Sequence, residues 1–214
     1  MCRNLLYKEL CLAAHPSLYV FMATGALVLI PAYPYGVVFF FGALGIFQSC
    51  MFDRETRDIY YTALLPVRKR DVVRGKLLLA VFAQLVQLAL SLPFAFLRTL
   101  YLHQGNPAGI EANPAWYGFG LLIYGVFNLV FFPRFFRTAY RAGTAFLAAL
   151  VPVVLGVTAM EAAVHFPGMA WLDSIAPEDL IRQVPILLAG AAAHAAGTAG
   201  AFVLSARRFE KVDL

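Results

Sequence analysis

Apolar residues along this chain are gathered into long runs, and short stretches rich in charge or proline separate the runs. Six of the runs approach the length that a helix needs to cross a bilayer, which is roughly 20 mostly apolar residues. The pattern therefore predicts an all-α integral membrane protein with six transmembrane helices in a single domain, 1–214. The spans are expected at about 17–32, 36–52, 77–100, 116–132, 142–166 and 184–204.

The N-terminal part of this pattern leaves two alternatives open. The first two runs are short and are joined by Tyr33-Pro34-Tyr35, which is typical of a tight turn, so a re-entrant hairpin is the alternative to two spans. Polar and apolar positions in 1–15 follow a helical period, which predicts an amphipathic helix on the membrane surface. Pro16 is expected to mark the bend into the bilayer. An ordinary solvated turn is the alternative for 1–15.

The composition agrees with a surface that faces lipid, because 61% of the residues are hydrophobic and only 14% are charged. Soluble domains have about a quarter charged residues. Of the 17 Lys and Arg residues, 15 lie in segments that would share one side of the membrane. Cytoplasmic loops retain positive charge, so both termini are expected in the cytosol. Cys2, Cys11 and Cys50 fall on the same side, where thiols stay reduced and no disulfide is expected.

The segment between the second and third predicted spans combines eleven charged residues with aromatic and aliphatic pairs. Residues 57–65 are expected to form a two-turn helix that Pro66 ends. Residues 68–76 are expected to enter the third span as an extended basic turn. Positive charge alone would retain this loop in the cytosol, but it does not account for Tyr60-Tyr61 and Leu64-Leu65. These pairs indicate a docking surface.

Polar residues inside the third predicted span share one helical face with a small residue, at spacings of three, four or seven. The set is Ala80, Gln84, Gln87, Ser91 and Arg98. Glutamines in hydrocarbon need partners, so this face either bonds neighbouring helices or lines a wet pathway. Asn128 in the fourth span and His194 in the sixth are candidates for the same two roles.

The sixth predicted span has small residues at every fourth position, namely Ala189, Ala193, Gly197 and Ala201. Small residues let helix backbones approach closely, so this ridge predicts a packing face. The pattern leaves open whether the neighbouring helix belongs to this chain or to a second subunit.

Glu161 and His165 on the fifth predicted span, with His194 on the sixth, have side chains that could ligate a metal ion. At a rise of about 1.5 Å per residue, however, Glu161 lies near the outer end of its helix and His194 near mid-membrane. No metal site is therefore predicted. The chain also lacks a phosphate-binding Gly-x-x-x-x-Gly-Lys loop, a Gly-x-Ser-x-Gly elbow and a redox Cys pair. It is not expected to be an enzyme or to hydrolyse ATP.

Several short sequences together resemble those of a known family. They are Leu5-Leu6-Tyr7-Lys8-Glu9-Leu10, Phe52-Asp53-Arg54-Glu55, Asp58, Leu64-Leu65-Pro66-Val67 and 69–76. Their layout is similar to that of the membrane subunit of a type-2 ABC exporter. This small six-span permease class includes exporters of phenol-soluble modulins and antimicrobial peptides. The resemblance in layout covers nearly the whole chain, and its specific part lies at 52–76.

The resemblance implies an elbow helix at 1–15 and a coupling helix at 57–65 that docks on a separate ABC ATPase subunit. The docking residues would be Arg57, Asp58, Tyr60, Tyr61 and Leu64. It also implies two permeases per transporter, as a homodimer or heterodimer. ATP and Mg²⁺ would bind the ATPase, and this chain would hold no cofactor. In relatives, the segment that corresponds to 167–185 partly re-enters the membrane from outside.

Under this interpretation the chain is a permease of the bacterial plasma membrane that exports an amphipathic or antimicrobial peptide. The alternative, from another class, is a membrane anchor, assembly factor or immunity factor that binds a partner without transport. An ATPase that copurifies with the chain would favour the transporter.

Overall fold

Apolar helices make up most of the chain in this computed structural model, which describes residues 2–64, 67–101, 106–139 and 141–212. No strand occurs within that described part, so the predicted all-α class is confirmed. The α-helices are α1 (Cys2–Lys8), α2 (Pro16–Ala23), α3 (Val37–Thr56), α4 (Asp58–Leu64), α5 (Lys69–Tyr101), α6 (Pro114–Phe135), α7 (Ala142–Ala163) and α8 (Pro177–Phe209). Shorter helical turns are a π-helical turn at Glu9–Ala13 and 3-10 turns at Thr24–Leu29 and Ala170–Leu172.

Five helices are long and apolar enough to cross a membrane, namely α3, α5, α6, α7 and α8. An N-terminal pair, Asn4–Ala13 and Pro16–Leu29, meets the same criterion only when its two halves are taken together, and these halves bend by 100°. The described residues thus contain five candidate spans, or six if the bent pair counts as one. A helical multi-span membrane protein is confirmed, and the first predicted span is the one that does not qualify alone.

The N-terminal bend lies at Ala14 and His15, which both have extended backbone conformations. Pro16 follows in the first turn of α2, where its fixed φ suits a helix and its missing N–H leaves no donor unpaired. The His15 ring accepts a hydrogen bond from the Ser17 amide and caps this helix. The bend predicted at Pro16 is therefore present. Together α2 and its 3-10 extension span about 24 Å, less than the roughly 30 Å of a bilayer core.

Helices α5 and α8 are each 33 residues long and extend beyond the predicted spans at 77–100 and 184–204. Residues 69–76 form the first two turns of α5, so the extended basic turn predicted there is wrong. Residues 177–185 form the first turns of α8, and the 3-10 turn at Ala170–Leu172 precedes them.

The early start of α5 has a local physical cause, because its first turns are amphipathic. Val72 and Val73 are buried and Arg70 is exposed, while the buried Asp71 pairs with the half-exposed Arg74 one turn later at 3.1 Å. A basic stretch of this kind continues the helix outside the hydrocarbon region and does not interrupt it.

Glycines bring α6 and α8 into direct backbone contact. A Cβ atom on Gly190 would collide with the Gly118 carbonyl oxygen, and one on Gly197 would lie 2.5 Å from the Gly125 carbonyl oxygen. The two contacts are seven residues apart on each helix, which is about two helical turns. The crossing therefore depends on glycine at both levels.

The predicted packing ridge on α8 is shifted from its expected place. Ala189 is exposed, and the residues that face the bundle are Gly190, His194, Gly197 and Ala201. In a helix of 3.6 residues per turn, each step of four residues drifts by about 40°, so a strict fourth-residue ridge leaves the contact face. The neighbouring helix is α6 of the same chain, which answers the question that the sequence left open.

Cysteine labelling of a variant without native cysteines tests the expected orientation. Ala108→Cys should react with a membrane-impermeant maleimide in intact cells, and Lys211→Cys only after permeabilisation, because positively charged segments stay inside. Both positions are exposed, whereas Asn106 and Asn113, which lie in the same loop before α6 as Ala108, are buried and unsuited to labelling. Labelling of position 211 in intact cells would show that the orientation is the reverse of the expected one.

Candidate coupling site and polar core

Helix α4 follows α3 after a single residue in the left-handed conformation. Arg57 has φ 54° and ψ 31°, and its amide donates to the Asp53 carbonyl at the end of α3. Asp58 begins α4, so Arg57 lies at the hinge between two helices and not inside the helix predicted at 57–65. The predicted stop at Pro66 lies outside the described residues, as does Leu65.

Helix α4 turns one side toward the bundle and leaves the other side open. Ile59 and Thr62 are buried. Tyr60, Tyr61 and Leu64 are 54%, 66% and 80% exposed. Three large side chains with apolar surface, exposed on a seven-residue helix, are typical of a surface that contacts another protein.

A buried group of charged residues lies behind α4. The Lys76 ammonium group, whose side chain is 2% exposed, contacts Glu9 at 2.5 Å, Asp53 at 2.6 Å and Asp58 at 3.2 Å. Lys8 contacts the same Asp58 carboxylate at 2.6 Å and Glu9 at 3.0 Å. We call these five residues the Lys76 cluster. It joins the N-terminal segment, α3, α4 and α5 at one point.

The Lys76 cluster has one more carboxylate than ammonium groups. Its carboxylate oxygens are close enough together to hold a metal ion, but the two ammonium groups contact them here. Burial alone would raise the pKa of Asp58, yet the charges of Lys76 and Lys8 and their hydrogen bonds outweigh burial and lower that pKa. Asp58 therefore stabilises the cluster fully above the ordinary carboxylate pKa, and this contribution is lost as the pH falls through the lowered value.

Sequence reasoning missed the Lys76 cluster, although two signals for it were present. Lys76 was expected on an extended basic turn, yet it extends the face of Ala80 and Gln84 at four-residue spacing. Glu9 stands among the apolar positions of the N-terminal helix, and an acid that is buried there needs a basic partner. Neither signal names the partner, because the contacts join segments that are distant in sequence.

Replacing Lys76 with Met should destabilise the protein by roughly 3–5 kcal/mol, because buried carboxylates lose their counterion. Adding Asp53→Asn should recover part of this loss. Arg70→Met is the matched control, because Arg70 pairs with Glu210 at 2.6 Å but 62% of its side chain is exposed. The control should lose less than about 1 kcal/mol. Chemical unfolding in detergent measures each difference, and equal losses for the two Met variants would contradict a buried cluster.

Buried side chains bind three long helices together in the middle of the bundle. Gln84 of α5 and Asn128 of α6 exchange two hydrogen bonds, at 2.9 and 3.1 Å. Asn128 also donates to the Thr198 hydroxyl of α8 at 3.0 Å. Nε2 of His194 on α8 lies 2.9 Å from Oε1 of Gln84, and it donates this bond when it carries the ring proton. These four side chains connect α5 to α6 and α8.

Gln87 forms a second junction one turn further along α5. Its amide nitrogen lies within hydrogen-bond distance of three oxygens, at 2.9, 2.8 and 3.0 Å: the Phe21 carbonyl, the Thr24 hydroxyl and the Val38 carbonyl. Its side-chain oxygen accepts from the Tyr124 hydroxyl of α6. Ser91, on the same face, lies 2.8 Å from the Tyr117 hydroxyl. The polar face predicted from spacing is thus buried, with partners on other helices, and a role in lining a pathway stays a prediction.

A double-mutant cycle on Gln84 and Asn128 tests the reciprocal amide pair. Each single replacement by Leu should destabilise the protein by about 0.6–2 kcal/mol, because the remaining amide is buried without its partner. The double variant should lose less than the sum, since it removes both groups. Leu147→Ala on α7 is the control, because that side chain is 65% exposed and bonds neither amide. Strictly additive losses would mean that no bond couples the pair.

Residues 4–187 match the profile of a family described as ABC-2 family transporter protein, which is most of the 214-residue chain. The chain belongs to this family. No curated protein and no solved structure shows a significant match to it. The chain is thus a multi-pass permease component of an ABC-2 transporter, a typically non-catalytic subunit, and membership implies ATPase partners in general.

The end of the ABC-2 permease opposite α4 has its own buried ion pair. Arg98 of α5 contacts both carboxylate oxygens of Glu111, each at 3.1 Å. The guanidinium group also lies 5.5 Å from the centre of the Tyr35 ring. The Glu111 amide donates to Asp173 at 2.7 Å. These contacts fix the loop before α6 against the end of α5 and the segment before α8.

Glu161 of α7 holds the same loop before α6 and also the start of α3. Its carboxylate accepts from the Ile110 amide at 2.9 Å and from the Gly36 amide at 3.3 Å. His194 bonds Gln84 in the polar core, so the two residues have separate partners, as their predicted depths required.

The permease has an apolar groove of about 780 Å³ between α5, α6 and α8, at the end of the bundle that contains Arg98. Its walls include Leu92, Phe96, Tyr117, Leu121 and Leu187. Leu92 and Phe96 are 56% and 65% exposed, so the groove is accessible. Sequence periodicity gives no sign of it, because the groove is the space between three helices.

Proposed function

We propose that this permease is the pathway-forming subunit of an ABC exporter, which pairs with a second permease and is driven by separate ATPase subunits. The observation that supports this most directly is the exposed surface of α4, formed by Tyr60, Tyr61 and Leu64. In this proposal α4 is the coupling helix, and its exposed side chains enter a cleft on the ATPase. ATP and Mg²⁺ act in that partner.

The Lys76 cluster gives α4 a way to transmit force. Asp58 belongs to α4, and its carboxylate contacts both Lys76 of α5 and Lys8 of the N-terminal segment. Movement of α4 by the ATPase would therefore pull on two other parts of the bundle through short ionic contacts. Because α5 is a single helix of 33 residues, a displacement at its cytosolic end reaches its outer end as a rigid-body tilt.

The substrate proposed here is an amphipathic peptide. The apolar groove beside Leu92 and Phe96 supports an occupant with apolar side chains, because its walls are almost entirely aliphatic and aromatic. A membrane anchor, assembly factor or immunity factor that does not transport is the competing function. It would need neither an exposed coupling surface nor an ATPase.

The coupling assignment is tested by Tyr60→Ala combined with Leu64→Ala. This variant should bind the ATPase roughly 30-fold more weakly in copurification, because truncating a central anchor commonly costs about 2 kcal/mol or more. The matched control is Tyr7→Ala with Leu12→Ala, which removes the same side-chain types, 67% and 73% exposed, from the N-terminal segment. At matched expression, the control should bind ATPase and support stimulated hydrolysis like wild type.

Two outcomes of this experiment would count against the proposal in different ways. If the Tyr60/Leu64 variant binds and couples like wild type, α4 is not the docking helix. If wild-type protein copurifies with no ATPase and is stable alone, the non-transporting alternative is favoured.

A further inference from the structure

A basic pocket of about 260 Å³ lies where α6 ends and α7 begins. Its lining consists of Arg134, Arg137, Thr138, Arg141, Thr144 and Ala145. It is on the same side of the bundle as α4, because Arg208 at the end of α8 donates to the Pro133 carbonyl at 2.7 Å, while Glu210 pairs with Arg70 at the start of α5. Nothing in the coupling proposal uses this pocket.

A tight connection brings the three arginines of the pocket together. Helix α6 ends at Phe135, Ala139 adopts a left-handed conformation with φ 63°, and α7 begins at Ala142. The Arg141 amide donates to the Thr138 hydroxyl at 3.2 Å, which fixes the turn before α7. The reversal thus presents three guanidinium groups and two hydroxyls to one small space. Guanidinium groups are suited to bidentate recognition of phosphate.

The pocket has no acidic residue of its own to balance this charge. Residues 134–145 contain neither Asp nor Glu. Arg134 donates to the Val130 carbonyl at 3.2 Å, and within the described chain neither Arg134 nor Arg137 forms an ion pair with a carboxylate. The site therefore has a positive field that an external anion would neutralise.

An exposed apolar stripe begins at the pocket and runs along α7. It consists of Leu147, Val151 and Val154, which are 65%, 59% and 49% exposed and follow Thr144 at spacings of three, four and three residues. From Thr144 to Val154 the helix rises about 15 Å, which is the depth of one leaflet of the hydrocarbon core. A ligand with an anionic head and a long apolar tail matches both parts of this surface.

We propose that the pocket binds the phosphate headgroup of an anionic phospholipid, with an acyl chain packed along the α7 stripe. Arg134 and Arg137 bind the phosphate oxygens, and Thr138 and Thr144 flank them. The apolar stripe distinguishes a lipid from a soluble phosphate, for which it would have no use. It also distinguishes a lipid from an acidic protein surface, because α7 enters the membrane at this point. The proposal is independent of the coupling proposal.

Native mass spectrometry of the detergent-solubilised full chain tests this site, with phosphatidylglycerol and phosphatidylcholine of identical acyl chains as probes. Wild-type protein should bind phosphatidylglycerol in preference to phosphatidylcholine. Arg134→Gln with Arg137→Gln should weaken phosphatidylglycerol binding by roughly 30-fold, since each basic residue near an anionic lipid contributes about a factor of five. Arg134→Lys with Arg137→Lys should lose less phosphatidylglycerol binding than the Gln variant, because the positive charge is kept. It should still bind more weakly than wild type, because Lys lacks the bidentate geometry of Arg.

The matched control is Arg207→Gln with Lys211→Gln, which removes two exposed cations from the same side but outside the pocket. It should bind phosphatidylglycerol within about twofold of wild type if the site is local, because distant surface charges are largely screened. Thermal unfolding of each variant without added lipid verifies that it is folded. An equal loss in the control would overturn a specific site, as would unchanged binding in the Arg134/Arg137 Gln variant.

Two further outcomes would assign the pocket to another ligand. If inorganic phosphate alone displaces phosphatidylglycerol at equal concentration, the acyl chain contributes nothing and the lipid assignment is wrong. If the Arg134/Arg137 Gln variant keeps its lipid binding but loses a copurifying protein, the pocket is a protein contact.

Discussion

Buried polar side chains on one face of α5 make the contacts on which the arrangement of the other helices depends. Lys76 binds the N-terminal segment, α3 and α4 at one end. Gln84 and Gln87 bind α6, α8 and the N-terminal bent helix pair in the middle, and Arg98 holds the loop before α6 through Glu111. Lipid offers no hydrogen-bonding partner, so each of these groups needs protein partners. That requirement fixes the rotation of α5 within the bundle.

Close backbone packing of α6 against α8 complements these polar contacts. Between apolar helices in a membrane, burial of side chains from lipid provides little driving force, so association depends on close van der Waals contact and on interhelical hydrogen bonds. The glycine pairs Gly118/Gly190 and Gly125/Gly197 allow that approach, and the bond of Asn128 to Thr198 lies beyond the second pair. A Cβ at Gly118 or Gly190 would separate the two helices and weaken this bond.

The end of the permease that carries α4 combines a buried charge cluster with two exposed surfaces. Behind α4, the Lys76 cluster ties four segments through short ionic contacts, while Tyr60, Tyr61 and Leu64 remain open to a partner. At the α6–α7 connection, the pocket of Arg134, Arg137 and Arg141 presents positive charge next to an apolar stripe. In the two proposals, the first surface contacts the ATPase and the second binds a lipid headgroup.

The sequence alone determined those features that follow from one helix at a time. Apolar run length predicted the membrane helices, and three- and four-residue spacing predicted that Gln84, Gln87 and Ser91 share a face. Proline placement predicted the bend before α2. The docking surface at Tyr60, Tyr61 and Leu64 was also predicted locally. The basic residues of the loop would retain it in the cytosol, but they do not explain why large apolar side chains occur there.

The tertiary structure decided which residues meet, and it corrected several local expectations. Lys76 lies buried in α5 and not on an extended turn, Arg57 lies at a hinge between α3 and α4, and the contact ridge of α8 includes Gly190 in place of Ala189. The groove beside Phe96 and the pocket at Arg134 are spaces that no single segment encloses. The physical reason is that helical periodicity fixes the angle of a side chain around its own axis. The partner, by contrast, depends on the rotation and depth of every neighbouring helix, which only the assembled bundle sets.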